Sequence, residues 1–341
     1  MKARRRPIRL TAAAAALGLG ALALTGCGKS SASGTTEDGK LRVVASFYPM
    51  QYLAQEIGGK HVAVENLTKP GTEPHDLELS PQQTGELSKA GLVVYLKGLQ
   101  PAVDEAVQQS GAKHVAEASA YTSLEKHGDD VHGEEEHGGH GHEGHGGHDH
   151  GGKGHGEEGH EGHSHTTEGG QDPHIWLDPV RYAQVAEGVG KQLAKADPKH
   201  KAEYEKNTKS LVDRIGSLDE KFAKGLKGRK TDTFVTTHAA FGYLAERYGL
   251  HEEAVAGIDP ESEPSAARMK ELHDIAKKDK VGTVFFEDTA SDKTAKTLAS
   301  DLSLKTGVLS PLETVKDPSK DDYLSVMEKN LTALQGALGA K

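Results

Sequence analysis

The sequence has a single cysteine, Cys27, so no disulfide can close within the chain. After the apolar run at 10–24, no stretch is apolar enough to cross a bilayer. Basic residues are also in deficit: 41 Lys and Arg stand against 51 Asp and Glu, a formal net charge of -10. That balance argues against nucleic acid as a partner and is compatible with a cationic ligand, although solubility alone would also account for it. Catalytic signatures are missing too. His251-Glu252-Glu253 lacks the second histidine of a His-Glu-x-x-His zinc-hydrolase helix. There is no glycine-rich nucleotide loop and no Ser or Cys nucleophile motif, which weighs against an enzyme.

What is present begins with a leader. Lys2, Arg4, Arg5, Arg6 and Arg9 precede the apolar run, which is too short to span a bilayer comfortably and ends at Leu24-Thr25-Gly26-Cys27. Small residues before a cysteine suit a lipoprotein signal peptidase. Residues 1–26 are therefore expected to be removed, leaving Cys27 acylated at the head of a protein tethered to the extracytoplasmic face of the cell membrane. Residues 27–39, rich in Ser, Thr and Gly, read as a flexible spacer.

The remaining body of roughly 300 residues exceeds what one core of typical size organises, so two lobes are expected. Short β-branched or aromatic runs at 41–47, 62–67, 92–96, 233–237, 281–287 and 307–309 read as strands. Between them, 50–57, 80–89, 241–248 and 265–278 carry apolar residues at helical spacing. Strand alternating with helix predicts parallel sheets covered by helices. A charged helical region lies between the two strand groups: one helix over about 180–195, Asp197-Pro198 as a cap and start, and a second helix to about 226. The fold class expected is α/β, with two lobes, each a parallel sheet flanked by helices, joined by a long helix. The boundaries are 40–179 for the N-terminal lobe, 180–229 for the helical region and 230–341 for the C-terminal lobe.

One stretch stands apart. From 127 to 165 the chain is almost entirely His, Gly, Glu and Asp. It cannot bury a core, and a disordered loop over 125–170 is expected. Neutral imidazoles at that density can wrap zinc, copper or nickel, weakly and without a preset geometry, and less well once protonated. Three other histidines sit where strands end or turns begin. His75 follows Lys69-Pro70-Gly71-Thr72-Glu73-Pro74, where Pro and Gly force a turn at the carboxyl edge of the sheet. His174 lies in Asp172-Pro173-His174-Ile175-Trp176-Leu177-Asp178-Pro179, and His238 ends the strand Thr233-Phe234-Val235-Thr236-Thr237. A lone histidine in such a place is more often a hydrogen-bonded structural residue than a ligand, but three of them beside a histidine-rich tract reverse the odds.

The strings Gly71-Thr72-Glu73-Pro74-His75-Asp76, Asp172-Pro173-His174-Ile175-Trp176-Leu177-Asp178-Pro179, His238-Ala239-Ala240-Phe241-Gly242-Tyr243 and Leu309-Ser310-Pro311-Leu312-Glu313 resemble the motifs of the zinc and manganese solute-binding proteins of bacterial ABC importers, solute-binding protein family 9. The resemblance runs in order from about residue 40 to the C-terminus. The zinc branch of that family also carries a His- and acid-rich loop between the first two ligand motifs. What the resemblance implies is a cluster A-I type fold with a rigid linking helix and a site of His75 and His174 from the first lobe and His238 from the second. Glu313 is the favoured fourth ligand, with Glu287, Asp288 or a water as rivals.

Three imidazoles and a carboxylate suit tetrahedral zinc. The related manganese binders replace the third histidine by a carboxylate, so His238 tips the chain toward Zn2+. The implied function is capture of Zn2+ as transported ligand and delivery to the permease and ATPase subunits of an ABC importer, by a monomer that tilts slightly on binding. A manganese or iron binder, and a surface metal-buffering or adhesive lipoprotein, are the alternatives within the same fold.

Overall fold

The computed structural model describes residues 34–128, 170–260, 264–287, 293–302 and 304–340. Cys27, the leader and most of the histidine-rich stretch lie outside them. In the first half, β1 (Leu41–Ala45), α1 (Tyr48–Gly58), β2 (Val62–Asn66), α2 (Pro81–Lys89), β3 (Leu92–Tyr95), α3 (Pro101–Ser110) and β4 (Val115–Glu117) alternate. The strands form a wholly parallel sheet of order β2-β1-β3-β4. Two helices follow, α4 (Pro179–Ala196) and α5 (Lys201–Gly225). The second half repeats the plan with β5 (Thr233–Thr236), α6 (Gly242–Tyr248), β6 (His251–Ala254), α7 (Ala266–Lys278), β7 (Thr283–Phe286), α8 (Lys293–Leu302), β8 (Lys305–Val308) and α9 (Tyr323–Leu338). Its parallel sheet has the equivalent order β6-β5-β7-β8.

The period of two along each strand sets the layers. Val43 and Ala45 of β1 and Leu92 and Val94 of β3 face a large central core, which also takes Phe234 and Phe285 from the second sheet. Val44, Val93 and Tyr95 face the opposite way, onto α2 and α3. Val235 and Val284 pack beneath α7 with Leu272 and Ala276. Helix α5, 25 residues long, lays Tyr204, Leu211, Ile215, Leu218 and Phe222 into the central core. It packs against α4, against α1 of the first half and against α9 of the second, so one helix spans both halves.

The expected parallel α/β architecture and long helix are present. The elements not anticipated are the two short edge strands β4 and β6 and the helices α3, α8 and α9. Strand β4 has three residues, too few to display a period. Strand β6 reads His-Glu-Glu-Ala with only its last residue buried, as an edge strand can, and so lacks a hydrophobic signature.

Helix starts are written locally. Ser80 and Gln83 form a reciprocal capping box at α2, and Asp178 accepts from the Val180 N–H at α4, each with proline in the first turn. Between Asp172 and Asp178 the chain makes a 3-10 turn, Ile175–Leu177. All three of its side chains are buried, and the Trp176 ring meets Phe47 edge-on at 4.9 Å. Trp176 Nε1–H donates to the Pro311 carbonyl at 2.7 Å, and the Tyr323 hydroxyl donates to the Trp176 carbonyl at 2.6 Å. A first-half motif is thereby fixed to the loop after β8. Replacing Trp176 by Phe leaves the buried Pro311 carbonyl without its donor and opens a small void. The expected loss of unfolding free energy in a urea titration is about 2–3 kcal/mol.

Candidate metal centre

In a doubly wound sheet, side chains converge at the carboxyl ends of the strands where the strand order reverses. His238 follows β5 and Glu287 follows β7, the adjacent strands that straddle the reversal in the second sheet. His75 lies in the loop after β2, Glu313 in the loop after β8, and His174 begins the 3-10 turn leading into α4. The four residues expected from sequence, His75, His174, His238 and Glu313, come together. One potential donor atom from each lies within 4.8 Å of all the others, and their exposures are 4%, 0%, 1% and 2%.

Glu313 Oε1 is the focus. His174 Nε2 lies 2.9 Å from it, His75 Nε2 3.1 Å and His238 Nε2 3.7 Å. The last separation is too long for a hydrogen bond, and His238 Nε2 is a buried polar atom without a partner. The outward nitrogens of His174 and His238 are held by other carboxylates. Asp172 Oδ1 takes His174 Nδ1 at 2.7 Å and the His174 backbone N–H at 2.9 Å, and Glu287 Oε1 takes His238 Nδ1. This arrangement fixes each ring and turns its Nε2 inward, as carboxylates do behind metal-binding histidines. Glu287, a rival for the fourth position on sequence, thus stands behind His238. Asp288, the other rival, lies outside the described residues.

The loop presenting Glu313 is pinned from three directions. Asn330 of α9 exchanges hydrogen bonds with the Ser310 backbone at 2.7 and 2.9 Å. Trp176 holds Pro311, and Thr314 Oγ1 accepts from the Gly71 N–H at 2.7 Å, which ties this loop to the one carrying His75. Leu312, next to Glu313, has φ 59°. A branched side chain in the left-handed region costs on the order of 1–3 kcal/mol, borne here by a buried residue whose turn drives Glu313 inward.

Burial opposes charge on Glu313, His174 and His238, but the imidazoles and the carboxylates around them compensate one another. Burial would raise Glu313, yet the His75 charge and the hydrogen bonds from His174 and His75 hold it well below the usual carboxylate range. Burial would lower His174, but Asp172 and Glu313 push it up to about 9. His238 is likewise carried well above the usual imidazole value by Glu287 and Glu313, against burial.

Several participants were not singled out by sequence reasoning. Glu73 accepts from the His75 N–H at 3.0 Å, and burial, then the Glu313 charge, pushes its carboxyl up to about 8. Its only sequence signal was its place two residues before His75. Glu252 accepts from Thr236 Oγ1 at 2.7 Å and from the Phe241 N–H at 3.0 Å, clamping the turn that carries His238. A second cluster, Glu125, His127 and Glu246, also brings donor atoms within 4.8 Å of one another. There the Arg181 guanidinium pairs with Glu125 and lies 4.0 Å from Glu246, so a resident cation already meets those carboxylates. Cys27 lies outside the described residues, and among those described no helix is long and apolar enough to cross a membrane.

Fold and site define a two-sheet α/β protein with a buried cluster of three histidines and one glutamate at the seam of its halves. The family model described as "Zinc-uptake complex component A periplasmic" matches residues 43–337, and the chain belongs to that family. The zinc-binding lipoprotein AdcA of Streptococcus pneumoniae is 36% identical over 312 residues, covering 87% of this chain and 56% of the relative. The chain therefore spans about half the length of that relative. The high-affinity zinc uptake system protein ZnuA of Bacillus subtilis is 35% identical over 329 residues, 94% of this chain and 95% of the relative. A crystal structure of the Zn(II)-bound ZnuA-like domain of Streptococcus pneumoniae AdcA superimposes with a TM-score of 0.67 at 33% identity, covering 88% of this chain and 99% of that one.

The raised value of His174 has a sign that can be tested without metal. A folded value of about 9 against 6.5 means that the His174 ion pairs contribute fully below pH 6.5, and that this stability is lost as pH rises through 9. In chelator, unfolding free energy is expected to fall by about 2–3 kcal/mol more between pH 6.5 and 9.5 in the wild type than in a His174→Gln variant.

Proposed function

We propose that this chain is an extracytoplasmic zinc-binding protein that holds one Zn2+ on His75, His174, His238 and Glu313 and delivers it to an ABC-type importer. The observation that carries the reading is the spacing of the three Nε2 atoms about Glu313 Oε1, 2.9, 3.1 and 3.7 Å. Donors 2.0–2.1 Å from a tetrahedral ion stand about 3.3 Å apart, so a small adjustment around a central ion, in which the two shorter separations lengthen and the longest shortens, satisfies all four. The same ion gives the buried His238 Nε2 its partner. Nitrogen-rich, four-coordinate geometry suits zinc, whereas manganese prefers more oxygen and more ligands.

The donor count supports transport over catalysis. Four protein ligands fill a tetrahedron, while a hydrolytic zinc keeps a position for water. The ligands come from both halves, so an ion there fixes their relative positions, which is what a permease and its ATPase partner would read. The body is organised as lobes 40–179 and 230–341 joined through 180–229, acts as a monomer, and tilts slightly on binding. Residues 1–26 are a lipoprotein signal, Cys27 carries the lipid that tethers the protein to the membrane, and 27–39 is the spacer. The histidine-rich stretch is a shallow collector that raises the local ion concentration. The likeness to a lipoprotein and an uptake protein supports this reading, as does the leader sequence itself.

Competitive zinc titration tests it. The full chain is expected to bind one tight equivalent plus weaker ones, and removal of 129–169 should abolish only the weaker set. His238→Ala should abolish the tight equivalent, and full retention of affinity in that variant would sink the assignment. Since Asp172 and Glu313 raise His174 to about 9, and Glu287 and Glu313 raise His238 as well, uptake of each ion should release at least about one proton at pH 7.5. Calorimetry in buffers of different ionisation enthalpy reads that number, and binding should weaken as pH falls.

A further inference from the structure

His127, counted with the histidine-rich stretch on composition, is turned inward. Its Nδ1 bonds Asp172 Oδ2 at 2.9 Å. Asp172 is fully buried, and its other oxygen carries both bonds to His174. A chain of contacts therefore runs from the root of the stretch through one carboxylate to a residue of the metal centre. We propose that His127 is a positioning residue for the zinc site: its Nδ1–H holds Asp172 Oδ2, so that Oδ1 stays on His174 and His174 Nε2 stays aimed at the ion. This inference rests on the zinc reading above.

The surroundings of His127 are built for that task. Its ring meets Tyr243 edge-on at 4.5 Å, and its Nε2 lies 3.4 Å from Glu246 Oε2. Its Cβ sits where Gly242 leaves room, since a Cβ on Gly242 would come within 2.4 Å of it. Tyr243 donates its hydroxyl hydrogen to the Asp172 carbonyl and accepts from the Glu125 N–H, both at 2.8 Å. The Asp172 N–H donates to the Glu125 carbonyl at 2.8 Å, closing the base of the excursion between them. Gly242, Tyr243 and Glu246 all belong to α6, which starts four residues after His238. His127 is thus seated by the half that supplies one of the three site histidines and acts on a carboxylate that orients another. A buried carboxylate oxygen deprived of its donor turns or draws in water to recover a partner, and either response loosens the bond that orients His174.

The test uses the full chain with zinc limiting against a competing chelator, together with the melting temperature of the metal-free protein. His127→Phe keeps a ring against Tyr243 and removes Nδ1–H. His127→Asn places an amide N–H where Nδ1 stood. Zinc affinity is expected to fall roughly ten-fold in His127→Phe and to stay within about two-fold of wild type in His127→Asn, the first being the low end of the effect of outer partners of ligand histidines. In an Asp172→Asn background, His127→Phe should cause no further loss. Wild-type affinity in His127→Phe overturns the proposal and leaves the zinc reading intact. Equal losses in the Phe and Asn variants, tracking equal drops in melting temperature, also overturn it, because they mark a packing role. Absence of tight zinc binding in the wild type removes the zinc reading and this inference together.

Discussion

Glu313 places a carboxylate where almost no solvent reaches, and an isolated buried anion is too costly to keep. Three imidazoles converge on that oxygen, and around them the architecture follows. The second sheet must offer its strand ends to the first, the loop after β8 must take a left-handed turn at Leu312, and Trp176, Asn330 and Thr314 must hold that loop from three sides. In the metal-free state, the raised His174 and His238 imidazoles favour protons that balance the charge. An arriving cation replaces them, so the cluster is stabilised in two exclusive ways, by protons or by metal.

The duplicated strand order explains why the donors meet. Each half reverses direction at its first strand, and each reversal opens a crevice at the carboxyl edge. Placing the two edges face to face brings loops after β2, β5, β7 and β8 to one point. The long helix α5, packed on α1, α4 and α9, keeps those edges in register. Ion pairs such as Arg214 with Glu56 and Lys221 with Glu328 lie along the same helix, but they are exposed and contribute little beside the buried apolar stripe.

Outer carboxylates decide where the imidazoles point. Asp172 and Glu287 each take the outward nitrogen of a histidine, and one aspartate of the Asp172–Asp178 segment serves the site while the other caps α4. Glu252 does comparable work on the backbone beneath His238. The His238 orientation therefore depends on a group supplied by another strand end, and that of His174 on an aspartate two residues before it.

By itself the sequence determined what depends on period, composition and near neighbours: the alternation of strand and helix, the break at Asp197-Pro198, the long helix, and histidines at strand ends and turns. His75, His174 and His238 stood out by position alone, whereas Glu313 emerged only through the resemblance of its motif. Strands β4 and β6 were too short or too polar to show a period. The roles of Glu287, Glu252 and His127 were not legible, because each is defined by a contact with another part of the chain. His75 and Glu313, 238 residues apart, lie 3.1 Å from each other, and only the tertiary structure decided that. Local preferences reach a few residues along a chain, whereas the separation of distant side chains is set by how whole sheets pack.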